Sequence, residues 1–307
     1  MDSQIGSVPP GPQWDPVADK RGDTDWVDQR WQDSDSRIVL IREGQIAVGG
    51  DDRPQWLPTS AAPDERLCWA LLGIDADGHA RFAVAVPADP ASVLAEDPTA
   101  TGSAAWLPLR ELQRNDAAEL FGAVALANWH GSHSYCPRCG TATEQIEAGW
   151  QRRCPADGTR HFPRVDPAVI MLVHDGDDRA LLGRRKRWPT GWFSTLAGFV
   201  EPGETLAAAV AREVAEEVGL QVVEVEHLGS QPWPFPNSLM VGFHARVDFT
   251  EPQPDGDEIE EAIWVTRDAL AAASAAGDIR LPPALSISRW LIQQWYGAEL
   301  PGEWSRP

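Results

Sequence analysis

GFVEPGETLAAAVAREVAEEVGL, residues 198–220, is the most informative stretch of this 307-residue chain. Pro202-Gly203 makes a tight turn feeding a helix that is expected to start near Glu204. On that helix Ala207, Val210, Val214 and Val218 recur at steps of three, four and four, an apolar stripe suited to packing on a sheet. Glu213, Glu216 and Glu217 fall together on a different face, because residues three and four apart are neighbours at about 3.6 residues per turn. Acids on a solvated helix face usually mean only solubility. Here Arg212 alone offsets three of them, and like charges at this spacing destabilise an isolated helix. A divalent cation is the expected remedy, and oxygen ligands of this kind suit magnesium or manganese.

Gly198, then Glu204, then the run Arg212-Glu213-Val214-Ala215-Glu216-Glu217-Val218-Gly219-Leu220 fill every defining position of a Nudix box, so the segment resembles that family's signature. The resemblance implies an α-β-α sandwich in an α+β chain: a mixed β-sheet between helices, with the box forming a loop and helix that bind metal. It also implies hydrolysis of a nucleoside diphosphate by water activated at the metal. By the same resemblance Glu213 and Glu217 are metal ligands, with Glu216 beside them as a third catalytic carboxylate. The carbonyl of Ala197 and, aligned on the following Trp264, Glu258 complete the magnesium or manganese site. A carboxylate that ligates in one step can shuttle a proton in another, so the residues do not single out one Glu as the base.

Downstream, SQPWPFPNS spans residues 230–238. Pro232, Pro234 and Pro236 fix φ and are expected to stiffen an extended strip holding Trp233 and Phe235, an edge that would support a flat ring. Gln231, Asn237 and Ser238 add polar groups able to read it. Such a run is otherwise a surface loop or a ligand for another protein. It resembles the QPWPFPxS signature of the NADH pyrophosphatase family, as does the order of a cysteine module before the box. That resemblance implies NADH or NAD as substrate, NMN and AMP as products, and in some members removal of NAD caps from RNA. It further implies a homodimer, base stacking on Phe162 and Phe199, and a substrate contact at Ser288. From the residues alone, Phe162 reads equally as core.

Cys136-Pro137-Arg138-Cys139 is a knuckle that supplies two thiolates to zinc, and Cys154 follows. Relatives carry a second Cys-x-x-Cys there, whereas this chain has Asp157 in the fourth position. Asp157 or His161 would replace the thiolate, since zinc accepts oxygen and nitrogen; alternatively the module keeps its fold and has lost its metal. Either role is structural, because no partner for a nucleophilic Cys is evident. Cys68, in an apolar run, reads as a buried thiol.

Working outward, residues 1–129 read as an N-terminal mixed α/β domain, 130–165 as a zinc-ribbon-like module and 166–307 as the catalytic domain. Residues 1–36 read as a flexible lead with Trp anchors. Hairpins are expected for residues 38–48 about Glu43-Gly44 and 67–86 about residues 75–78. Asp116 and Glu119 suggest a capping box opening a helix to about Trp129. Residues 168–173 and 180–183 read as strands. Phe243, Ala245, Val247 and Phe249 form the dry side of another, and helical spacing returns near 267–275 and 286–295.

A formal charge of −20 disfavours binding to nucleic-acid backbone, so DNA is not an expected partner. Residues 1–36 lack the apolar core of a secretory signal, and the apolar runs are too short to span a bilayer, which points to a cytoplasmic enzyme away from membranes. The rival readings are the same chemistry on ADP-ribose, and a ligand-sensing regulator whose ribbon binds nucleic acid.

Overall fold

The computed structural model describes residues 14–64, 67–87 and 105–302, which divide into two units: residues 14–165 with Trp233–Asn237, and Asp166–Pro232 with residues 238–302. The part of the expected flexible lead in residues 1–13 lies outside the described residues. The remainder is ordered by a helix, α1 (Thr24–Gln32), whose first turn is capped by the Asp23 carboxylate accepting from the Trp26 N–H.

In the N-terminal unit, strands β1 (Arg37–Arg42), β2 (Gln45–Val48), β3 (Trp56–Pro58), β4 (Cys68–Ile74), β5 (Ala80–Ala85) and β6 (Ala105–Pro108) form one sheet in the order β4-β5-β1-β2-β6, with β3 on β1. The two expected hairpins are β1/β2 and β4/β5. Helix α2 (Arg114–Ser132) follows. No side-chain hydrogen bond caps it, so the expected capping box is not formed; Asp116 pairs instead with Arg53 at 3.2 Å. Cys68 is a buried free thiol pushed up to about 11 by burial, as a core cysteine should be. Strands β7 (Glu144–Ile146), β8 (Gln151–Arg153) and β9 (Arg160–His161) make a small separate sheet.

In the second unit β10 (Asp166–His174), β11 (Arg179–Arg185), β12 (Leu196–Phe199), β13 (Val222–Trp233), β14 (Ser238–Val247) and β15 (Ile259–Thr266) build a mixed sheet in the order β13-β14-β10-β11-β15, with β12 also on β10. Side chains of a strand alternate between faces, and β10 shows why this sheet is covered on both. Val169, Met171 and Val173 join the core under α3 (Leu206–Val218), together with Val210, Val214 and Val218. Ile170 and Leu172 join a second core with Leu270 of α4 (Arg267–Ala276) and Leu291 of α5 (Ile287–Tyr296). The result is an α-β-α sandwich. Phe249 lies past the end of β14 and is exposed, so the expected alternation stops at Val247. Among the described residues no helix is long and apolar enough to cross a membrane.

Candidate active site

Helix α3 begins at Leu206, two residues later than expected, because Thr205 is the N-cap and its hydroxyl accepts from the Ala208 N–H. Glu204 is thereby released from the helix, and its carboxylate accepts from the Glu201 N–H and from Arg212. The buried stripe is Ala209, Val210, Val214, Glu217 and Val218; Ala207, expected in it, is exposed. Glu217 therefore lies on the packed face, while the Glu216 side chain is 61% exposed. The three acids are not one solvated face.

Arg212 ties the box loop to the helix. It donates to both Glu204 oxygens, to Glu213 at 2.8 Å, to Glu216 at 2.9 Å and to the Phe199 carbonyl at 2.9 Å. Its pKa is raised by Glu204 first, with Glu213 and Glu216 adding to the effect, and that of Glu204 is held below its ordinary value by Arg212. A Cβ at Gly198 would overlap the Glu213 carboxyl group, which would have to shift to admit it. Glu213, half-buried, has its pKa raised chiefly by desolvation.

Glu217 is 3% exposed, and neither carboxylate oxygen has a hydrogen-bond partner. Burial pushes its pKa up to about 8. The nearest cation is Arg185, whose Nη2 lies 4.0 Å from Glu217 Oε1, 3.6 Å from Glu258 Oε2 and 3.3 Å from the Ala197 carbonyl oxygen. Ala197, Glu217 and Glu258, all picked out in the sequence, thus meet at Arg185, an unforeseen member, and Glu213 lies near enough to feel the charges of Glu217 and Glu258. Asp255 is a second residue that sequence reading passed over. Burial opposes its ionisation, but hydrogen bonds from the Ile259, Glu258 and Asp257 N–H groups outweigh this and lower its pKa. It shapes the turn that delivers Glu258, and its own N–H donates to the Glu217 carbonyl at 3.1 Å. An oxygen-only cluster with an orphaned buried carboxylate fits a hard divalent cation.

The other expected site residues divide. Phe199 is 59% exposed and Phe162 62%, so both present ring faces to solvent and Phe162 is not core. Residues 234–237 form a turn rather than an extended strip, with the Trp233 and Phe235 rings packed on each other edge to face at 5.1 Å. Asn128 of α2 holds this turn by donating to the Pro234 and Pro236 carbonyls, while Pro232 is exposed and Asn237 and Ser238 are partly so. Gln231 is buried and committed at both ends, donating to the Leu285 carbonyl and accepting from the Ile287 N–H. Ser288 is buried and bonded to Ser194 and to Thr195. These two polar side chains brace the start of α5, a use that their residue types alone do not reveal.

In the ribbon, Cys136, Cys139, Cys154 and Asp157 place their ligand atoms within 4.8 Å of one another; His161 is not in the group. The two halves repeat one another. In Cys136-Pro-Arg-Cys139-Gly140-Thr141 the Cys136 N–H donates to the Thr141 carbonyl and the Gly140 N–H to the Cys136 carbonyl. In Cys154-Pro-Ala-Asp157-Gly158-Thr159 the Cys154 N–H donates to Thr159 and the Gly158 N–H to Cys154, and both glycines have φ near +73° to +74°. Asp157 therefore stands where Cys139 stands in the first knuckle. Its pKa is lowered to about 2 by the Thr159 N–H and hydroxyl, while burial pushes the Cys154 thiol up to about 11. Three thiols and a carboxylate in two matched knuckles fit a structural zinc ion.

The NUDIX domain family matches residues 164–285, and the NADH pyrophosphatase zinc ribbon domain matches residues 132–162. The NAD-capped RNA hydrolase NudC of Mycobacterium bovis (strain BCG / Pasteur 1173P2) is 52% identical over 186 residues, 58% of this chain and 59% of that protein. Its namesake from Mycobacterium tuberculosis (strain ATCC 25618 / H37Rv) is 51% identical over the same shares. The human NAD-capped RNA hydrolase NUDT12 is 41% identical over 61% of this chain and 43% of its own length. The chain thus spans about three fifths of the mycobacterial relatives and under half of the human one. The chain thus carries a NUDIX domain match at residues 164–285, preceded at residues 132–162 by a match to the NADH pyrophosphatase zinc ribbon domain.

Proposed function

We propose that the chain hydrolyses the diphosphate bridge of NADH and NAD to NMN(H) and AMP and removes NAD caps from RNA 5′ ends, acting in the cytoplasm as a homodimer. The observation that carries the reading is Glu217: a buried carboxylate without a hydrogen-bond donor, inside an oxygen-rich cluster, suits a resident cation. Glu213, Glu217, Glu258 and the Ala197 carbonyl would hold magnesium or manganese. When bound, that ion neutralises diphosphate charge and acidifies water. Arg212 fixes Glu213 and the Phe199 carbonyl in place and also pairs with Glu216, the box carboxylate whose side chain is most open to solvent. The exposed rings of Phe199 and Phe162 each offer a face for a base.

The choice of an NAD-type substrate over ADP-ribose is supported by the QPWPFPNS run and by the relatives that carry NAD-capped RNA hydrolase as a name. Incubation with NADH, NAD, ADP-ribose and NAD-capped RNA, with manganese and with chelator, tests it. NMN(H), AMP and 5′-monophosphate RNA should form only with the metal, and ADP-ribose should be the poorer substrate. Faster turnover of ADP-ribose would reassign the substrate, and salt-sensitive DNA binding without any hydrolysis would favour the regulator.

A further inference from the structure

Arg185 Nη2 touches three of the four groups assigned to the divalent ion: the Ala197 carbonyl oxygen at 3.3 Å, Glu258 Oε2 at 3.6 Å and Glu217 Oε1 at 4.0 Å. A guanidinium so placed has the charge and the contacts of a cation in that site. Its position is built by the sheet. Along β11 and β15 the register runs Arg184 opposite Glu261 and then Arg185 opposite Ile259, so Glu260 is an extra residue and the edge strand bulges. Bulges re-aim side chains. Here Arg184 takes both Glu260 and Glu261, at 2.8 and 2.9 Å, which leaves Arg185 for the site.

Building on the metal-site reading above, we propose that Arg185 is an internal counter-ion which occupies the carboxylate site while it lacks metal, is displaced when the divalent ion binds, and then clamps the substrate diphosphate. Both cations cannot share these oxygens. A displaced guanidinium remains on a long side chain beside the site, and its planar fork matches two phosphate oxygens. The device keeps Glu217 and Glu258 from facing each other unscreened in the metal-free protein, and couples metal loading to the arrival of a positive group at the substrate.

Manganese titration of the whole protein, read by a bound-metal signal rather than turnover, tests the proposal with Arg185→Gln, which removes the charge, and Arg185→Lys, which keeps it but loses the fork. If the guanidinium holds the site in about nine molecules of ten, Arg185→Gln should bind manganese roughly tenfold more tightly. Both variants should raise the KM for NADH with a smaller effect on kcat, the pattern of lost substrate binding. Manganese affinity unchanged or weakened in Arg185→Gln, or an unchanged KM in both variants, would overturn it. The underlying metal-site reading fails separately, if Glu217→Gln leaves manganese affinity intact.

Discussion

Among the described residues, the box carboxylates with the Ala197 carbonyl and the ribbon thiols with Asp157 handle charge in opposite ways. In the box the proposed ligands are oxygens, and arginines are interleaved with them: Arg212 on Glu213 and Glu216, Arg185 toward Glu217 and Glu258. In the ribbon the ligands are three thiols and Asp157, arranged as two matched knuckles in which backbone hydrogen bonds, not cations, do the positioning. A site that arginines can screen tolerates loss of its ion, as a catalytic metal shared with substrate requires. A site of thiols, one pushed up to about 11 by burial, is held together by the ion itself, as a structural metal requires.

The contrast breaks most easily at Glu217. Glu217→Gln should lower NADH turnover by roughly a thousandfold, the scale of losing a group that serves only the reaction. The metal-free variant should melt no lower than the parent, because the buried carboxyl group it replaces has no hydrogen-bond partner to lose. A parallel fall of turnover and melting temperature would make the carboxylate structural. In the ribbon the order reverses: Cys136→Ser should cost about 4 kcal/mol of stability in protein that carries zinc, since metal binding there is folding energy. Metal analysis should find one zinc per chain. No zinc together with an unchanged melting curve would mean that the ribbon keeps its fold without an ion.

Smaller effects sharpen the comparison. Glu258, 62% exposed, should matter less than Glu217, so Glu258→Gln is expected to lower turnover by about tenfold. Trp233→Ala loses the ring packed on Phe235 and should weaken NADH turnover while leaving manganese affinity unchanged; normal turnover would assign the turn to another partner. The ribbon unit should also show its own pH dependence through His130. This buried imidazole, between the Gly149 carbonyl and Arg152, is lowered from 6.5 to about 4, by burial first. The fold thus favours its neutral form, so stability is complete above pH 6.5 and is lost as pH falls toward 4, on the order of 2 kcal/mol. His130→Gln should flatten that slope in a denaturant series; an unchanged slope would assign acid sensitivity elsewhere.

Much of this was legible because the relevant spacings are local. The box positions, the two hairpins and the Cys-x-x-Cys knuckle are each set within one turn or one short run. What sequence missed depends on tertiary register. Nothing along the chain says that β15 bulges at Glu260, and so nothing says that Arg185, in a basic run at residues 184–187, reaches Glu217 and Glu258. Gln231 and Ser288 carry polar types that suggest recognition, yet both are consumed inside the fold by groups more than fifty residues away in sequence. The repeat Cys-Pro-x-Cys-Gly-Thr and Cys-Pro-x-Asp-Gly-Thr was available in the sequence and is the signal that places Asp157 rather than His161 in the ribbon cluster.

Cleavage at phosphorus by water at the box carboxylates is tested most directly by hydrolysis of NADH in oxygen-18 water with manganese. Mass spectrometry should find one labelled oxygen in a phosphate of NMN(H) or AMP, and Glu217→Gln should form almost no labelled product over the same time. Free nicotinamide with label on the ribose, or labelled phosphate formed as fast by Glu217→Gln as by the parent, would contradict it.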